Sequence, residues 1–187
     1  GRACEGEEDN RGVHVLTSLD DSRVEELLGR HEFFWMDLTG LDDGEMERLG
    51  KLLGLHPLAV EDSIHFGQRP KLDVYGETAL LVLQGGVEMK PEDENPHPLE
   101  EIHCYLGGDC IVTLHRNPYA ELDRLARQFG QGRPPKSEQY YVYKVIDAIV
   151  DSFFPILSDL DEEIDDLEDA IVAGARANQL QEIFQLK

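Results

Sequence analysis

Thr78-Ala79-Leu80-Leu81-Val82-Leu83 is the stretch on which the fold class turns. It is apolar from Ala79 onward, too short for an ordinary helix, and closed by Gly85-Gly86. A run with no polar alternation reads as a strand buried on both faces. Its neighbours extend the pattern. Leu72 to Tyr75 precedes it as a strand, and Thr78 to Val87 is the full extent of the buried one. Downstream, Glu101 to Leu106 and Cys110 to His115 flank Gly107-Gly108-Asp109, which is a hairpin signal. Upstream, Val13 to Leu16 and Phe33 to Leu38 read as two further strands.

Helical segments alternate with these strands. Ser22-x-x-Glu25 is a capping-box pattern, followed by Val24, Leu27 and Leu28 and a stop at Gly29. Asp42 and Glu45 open a second helix, with Met46, Leu49 and Leu53 on one face and Gly54 as the terminator. His56-Pro57 opens a third, which is expected to reach about Phe66. Asn117-Pro118 starts a fourth, running to about Phe129. The segment 91–98 (PEDENPHP) reads as a polar loop, and so does 130–136 (GQGRPPK).

From Ser137 the spacing changes. Val150, Phe153, Leu157, Leu160, Ile164, Leu167 and Ile171 recur at intervals of three and four, which is a heptad seam. Pro155 lies within it and is expected to bend the helix. Gly174 marks a turn, after which Leu180, Ile183 and Phe184 begin a second stripe. That stripe is open-ended at Lys187, so the expectation is a chain cut inside a longer helix. The organisation expected from the residues is a disordered lead-in (1–12), a mixed α/β domain (13–136) and a long acidic helical hairpin (137–187).

Composition narrows the functional classes. The 187 residues include 39 Asp and Glu against 17 Lys and Arg, a net charge of −22. That balance excludes a basic nucleic-acid-binding face and disfavours an anionic membrane surface. It favours cations. No apolar run approaches the roughly 18 residues of a spanning helix. Three cysteines (Cys4, Cys104, Cys110) are too few for a disulfide scaffold, and a reducing compartment is the simpler reading.

Three constellations carry chemistry. The long helix has ten acidic residues between Val145 and Ala175, from Asp147 to Asp169, and no Lys or Arg. It reads either as a solvated, self-repelling face or as a collector of hard cations. Glu61, Asp62 and His65 lie within one turn of the helix opened by Pro57. They read either as ion-pair partners of Arg69 and Lys71 or as oxygen-rich cation ligands. His103, Cys104, Cys110 and His115 occupy two arms of one hairpin. Strand alternation puts His103 and Cys104 on opposite faces, which works against a shared zinc ion. No nucleophile-and-base pattern, phosphate loop or dinucleotide motif is present, so an enzyme is not expected.

Leu55-His56-Pro57-Leu58-Ala59-Val60-Glu61-Asp62, followed by Gln68-Arg69-Pro70-Lys71 and Tyr75, resembles the CorA-type magnesium transporter family. So do Val145 to Pro155 (VIDAIVDSFFP), Leu160 to Glu168 (LDEEIDDLE) and Leu186-Lys187. Trp35 with Thr39-Gly40-Leu41, and Ile111 to His115, are weaker echoes. The resemblance runs in order from about residue 33 to the end.

It implies an α/β fold, namely an α/β/α sandwich with a mixed sheet followed by long helices. The domain would lie at the cytoplasmic face of the cell membrane. The membrane would be reached only through C-terminal segments outside this sequence. It implies a pentamer in the full-length protein, with Mg2+ or another divalent cation held between subunits to keep the closed state. Residue by residue, that cation site falls on Asp62 with Glu61 beside it, and on Asp147. Without the pore segment, the magnesium and cobalt branch is not separated from the zinc-transporting branch. A free-standing acidic interaction module is the reading from another class.

Overall fold

The computed structural model describes residues 13–87, 99–131 and 137–174. Six strands form one sheet: β1 (His14–Leu16), β2 (Phe34–Thr39), β3 (Lys71–Tyr75), β4 (Thr78–Gly86), β5 (Leu99–Gly107) and β6 (Cys110–His115). Their order is β1-β2-β6-β5-β4-β3. β1, β2 and β6 run parallel, and β6, β5, β4 and β3 pair antiparallel, so the sheet is mixed.

Helices cover both faces. On one side lie α1 (Asp21–Arg30), α2 (Asp43–Leu53) and α3 (Pro57–Ile64), packed with Phe34, Met36, Leu80, Val82, Val112 and Leu114. On the other lie α4 (Ala120–Gln131) and α5 (Glu138–Asp151), packed with Trp35, Ile102, Cys104 and Ile111. Strand alternation splits the apolar run between these two cores. Leu80 and Val82 are fully buried under the first layer, and Leu81 and Leu83 pack half-buried in the second. Each fully buried side chain of this size contributes roughly 1.5–3 kcal/mol.

Local chemistry sets most boundaries. Asp42 caps α2 in a complete capping box with Glu45, and Gly54 ends the helix at φ 63°. Pro57 begins α3, and the His56 ring accepts the Leu58 N–H at 3.2 Å. α3 stops at Ile64, short of Phe66. The cap of α1 differs from expectation. Asp20, not Ser22, accepts the Arg23 N–H at 3.1 Å, and His31 (φ 54°), not Gly29, makes the left-handed stop. Asp20 is as good a cap as serine and stands where the helix enters from β1, so the competing pattern two residues later is not used. At the β5–β6 hairpin Gly107 has φ 148°, and a Cβ there would lie 2.6 Å from Glu77 O.

The long helix is interrupted. α5 ends at Asp151, and α6 (Phe153–Gly174) begins after Ser152. Pro155 cannot donate to the Asp151 carbonyl, so the break falls one turn before the proline. Ser152 Oγ accepts the Gly86 N–H at 2.8 Å, which pins the break to β4. Only glycine fits there, because a Cβ on Gly86 would lie 2.6 Å from Ser152 O.

Beyond the break, Phe153, Leu160 and Leu167 of the expected seam are half-buried, while Leu157, Ile164 and Ile171 are exposed. The lead-in 1–12, the loop 91–98 and the second arm carrying Leu180, Ile183 and Phe184 lie outside the described residues. Among the described residues no helix is long and apolar enough to cross a membrane.

Candidate functional site

α3 places two carboxylates side by side. Its inner face is anchored by buried Ala59 and Ser63, which turns Glu61 outward and leaves Asp62 half-buried above β3. Asp62 Oδ2 accepts from Lys71 Nζ at 2.7 Å, and the same ammonium reaches Asp73 Oδ2 at 3.0 Å. Hydrogen bonds from Lys71 to these two carboxylates hold the lysine charged well above its ordinary range. Lys71 is thus the partner of Asp62, as the ion-pair reading has it. Glu61 is exposed, and its backbone carbonyl accepts from the His65 N–H at 3.0 Å.

Asp147 lies on α5, in the opposite layer. It accepts from Lys144 Nζ at 2.8 Å. Lys144 and Tyr143 together hold its carboxyl below the usual carboxylate range. With Glu121, Arg124 and Asp151 it lines a groove of about 330 Å³ between α4 and the α5–α6 junction. The sheet therefore separates Asp147 from the Glu61–Asp62 pair. Among the described residues no three His, Cys, Asp or Glu side chains converge. Each position instead offers one or two carboxylates, the donor set that a hydrated Mg2+ takes, since Mg2+ keeps most of its waters. A cation reaching Asp62 competes with the Lys71 ammonium.

The hairpin histidines and cysteines are drawn into two different cores. His103 faces α3: its Nδ1 is 2.7 Å from Ser63 Oγ and its Nε2 is 2.7 Å from Glu101 Oε1. Tyr105 extends the network, with its hydroxyl 2.8 Å from Ser63 Oγ and donating to Ala59 O at 2.6 Å. Cys104 packs in the other core, and burial pushes its thiol up to about 12. His115 bonds to Asp37 and to Asn117 O. Both histidines are thus engaged inside the fold.

Two features escaped the sequence reading. One is Glu100, buried, which accepts from Arg116 N at 2.8 Å, Asn117 N at 2.9 Å and Asn117 Nδ2 at 2.9 Å. The other is the chain of Trp35 Nε1, Thr113 Oγ1, Asp37 and His115. The signal available was a charged residue inside a strand, Asp37 within FWMDLT and Glu100 within LEEIHCYLG. The β2–β6 register pairs Asp37 with Thr113 across 76 residues, and the β5–β6 pairing brings Glu100 to Arg116 and Asn117, just beyond the end of β6.

Similarity to known proteins accords with this architecture. Residues 30–187 match the family described as CorA-like Mg2+ transporter protein. The chain is 30% identical over 159 residues to the cobalt/magnesium transport protein CorA of Thermotoga maritima, covering 82% of this chain and 44% of that protein. The chain thus spans about half the length of the curated relatives it matches.

The soluble domain of CorA from Methanocaldococcus jannaschii has the same fold, with a TM-score of 0.67 at 19% identity, covering 92% of this chain and 67% of that one. The ZntB cytoplasmic domain from Vibrio parahaemolyticus is more distant in shape, with a TM-score of 0.57 at 14% identity, covering 71% of this chain and 54% of that one. Sequence match and shared architecture lead to one conclusion: the chain belongs to the CorA-like Mg2+ transporter family.

Proposed function

We propose that this chain is the cytoplasmic regulatory domain of a divalent-cation transport protein for Mg2+ or Co2+. In this reading a cation bridges neighbouring subunits of a pentamer and holds the closed state, with no enzymatic step. Family membership over residues 30–187 carries the proposal. The geometry supports it in a specific way. Glu61 and Asp62 sit at the surface of one layer and Asp147 at the surface of the other, so a shared ion is completed only by carboxylates from a second chain. Oxygen ligands, a hydrated hard ion and a strongly acidic surface suit each other. Binding that requires two chains stabilises the assembly by mass action as Mg2+ rises.

The test is a Mg2+ titration of the full-length protein, read by subunit association and by ion flux. Asp62→Ala should shift the Mg2+ dependence to higher concentration while the fold stays intact. Unchanged assembly and gating would remove Asp62 from the site. Lys71→Met should act in the opposite direction, because it removes the ammonium that competes for Asp62. Asp147→Ala tests the second position separately.

The zinc-transporting branch is the alternative, and the ZntB likeness supports it at the level of the fold alone. It would need imidazole ligands. His103 and His115 are spent on buried internal partners, which leaves exposed His65 as the accessible ring among these three. The free-standing interaction module would use the α6 seam, and dimerisation of the isolated chain through that seam would favour it.

A further inference from the structure

β6 ends in a buried histidine whose two ring nitrogens both face oxygen. His115 Nδ1 lies 2.6 Å from Asn117 O, and Nε2 lies 3.2 Å from Asp37 Oδ1. The His115 side chain is 1% exposed and that of Asp37 5%. A backbone carbonyl only accepts, and so does an ionised carboxylate. Thr113 Oγ1 already donates to the same Asp37 oxygen, which gives that oxygen the acceptor role. A neutral imidazole has one N–H. It can satisfy one of these contacts, and it points a lone pair at the other. The doubly protonated ring satisfies both.

We propose that His115 is a proton-operated latch. Charged, it ties the end of β2 to the turn that opens α4. On losing its proton it keeps an N–H for only one of these two oxygens, so the tie between β2 and the start of α4 is cut and the turn loosens. The turn is well placed to respond. Glu100 on β5 holds the N–H groups of Arg116 and Asn117, while His115 holds the Asn117 carbonyl. Asn117 is thus gripped from opposite polarity, its N–H by Glu100 and its carbonyl by His115.

The groups facing the ring come from every neighbouring element. Asp37 on β2 and Glu100 on β5 favour its charge, and burial opposes it. Thr39 Oγ1 lies 3.5 Å from Nδ1. The Tyr119 ring, just before α4, is centred 6.2 Å away. Arg116 turns aside onto the Phe66 ring at 4.7 Å. Asp42 and Asp43 of α2 line a small cavity of about 130 Å³ together with His115 and Arg116.

Desolvation by burial is the largest single influence and lowers the imidazole, but Asp37, the Asn117 carbonyl and Glu100 together outweigh it and leave the ring above its ordinary range. The folded protein therefore holds this proton more tightly than the unfolded chain. The contribution is complete below about pH 6.5 and is lost as pH rises through the folded-state value.

Trp35 is the only tryptophan, and its indole N–H donates to Thr113 Oγ1 at 2.9 Å, one hydrogen bond from Asp37. Its fluorescence therefore reads the latch directly. Emission of the whole chain is followed from about pH 6 to about pH 9, with amide hydrogen exchange over residues 116–122. A single step is expected, with lower protection of these amides relative to their intrinsic exchange rate on its high-pH side, and no step in His115→Gln. The same step in His115→Gln would overturn the proposal.

Nitrogen-15 spectra of the wild-type imidazole rings need no variant. A doubly protonated His115 ring at about pH 7 is expected, and a singly protonated one there would overturn the proposal.

Discussion

The sheet and the long helix manage acidic side chains in opposite ways. Within the sheet, Asp37, Glu100 and Glu101 are each engaged by hydrogen-bond donors from other strands, loops or turns. Asp62 at the sheet's edge shares Lys71 with Asp73. Along α6, eight carboxylates from Asp159 to Asp169 follow one another with no Lys or Arg between them, while Leu157, Ile164 and Ile171 stay exposed. The first region is complete in itself. The second carries an apolar stripe and a repulsive face together, and a helix of that kind draws its stability from whatever covers the stripe. Folding and function are thus divided: α3 and α5, packed on the two faces of the sheet, carry the proposed cation carboxylates, and α6 stands out as the part that depends on further contacts.

Four measurements would break or sharpen that contrast. The largest expected effect concerns how closed the sheet is. Burial pushes the Cys104 thiol up to about 12. Its alkylation at about pH 8 should be slower than in the unfolded chain by on the order of a thousandfold. Rapid labelling of native Cys104, read by mass spectrometry, would show a sheet that opens readily.

Next come paired truncations. Ile149 is fully buried and Ile164 is 45% exposed. Ile149→Ala should cost about 2–5 kcal/mol in thermal or urea unfolding, and Ile164→Ala less than about 0.5 kcal/mol. Equal costs would mean that the α6 stripe is covered in solution. Leu160→Asp, at a half-buried seam position, then tells whether the α6 seam supports the melt at all.

A third pair compares the acids themselves. Glu100→Ala leaves three N–H donors short of an acceptor and should cost about 2–3 kcal/mol. Glu168→Ala removes a like-charge neighbour and should stabilise α6 by a few tenths of a kcal/mol. Any large loss on Glu168→Ala would reveal a partner for that carboxylate.

The smallest effect is ionic. Raising salt from about 0.01 M to about 0.15 M shortens the screening length from about 30 Å to about 8 Å, and helicity measured by circular dichroism should rise slightly. A fall would mean that attractive pairs, not repulsive ones, dominate α6.

Much of this was legible in the residues. Asp42 with Glu45 and Gly54 marked both ends of α2, and His56-Pro57 marked the start of α3, because caps and stops act within a few residues of chain. The apolar run 79–83 announced a strand with two covered faces. Glu61, Asp62 and Asp147 were reached as cation ligands through resemblance to a family, since spacing alone favoured plain ion pairing with Arg69 and Lys71 for Glu61 and Asp62 and put Asp147 in a self-repelling acidic helix. Local pattern failed where two candidates competed, as with Asp20 and Ser22 at α1. It also failed to place the break at Ser152, because the Gly86 contact that pins it crosses 66 residues of chain.

By itself, then, the sequence determined the kinds of element, their caps and the strongly acidic character of the molecule, since these depend on neighbours within one or two turns. The tertiary structure alone decided which carboxylates are engaged and by whom. It put Asp62 under Lys71, Asp147 in the opposite layer, and Asp37 between Thr113 and His115. The physical reason is that such partners are set by strand register and layer packing, which bring together side chains that no local pattern relates.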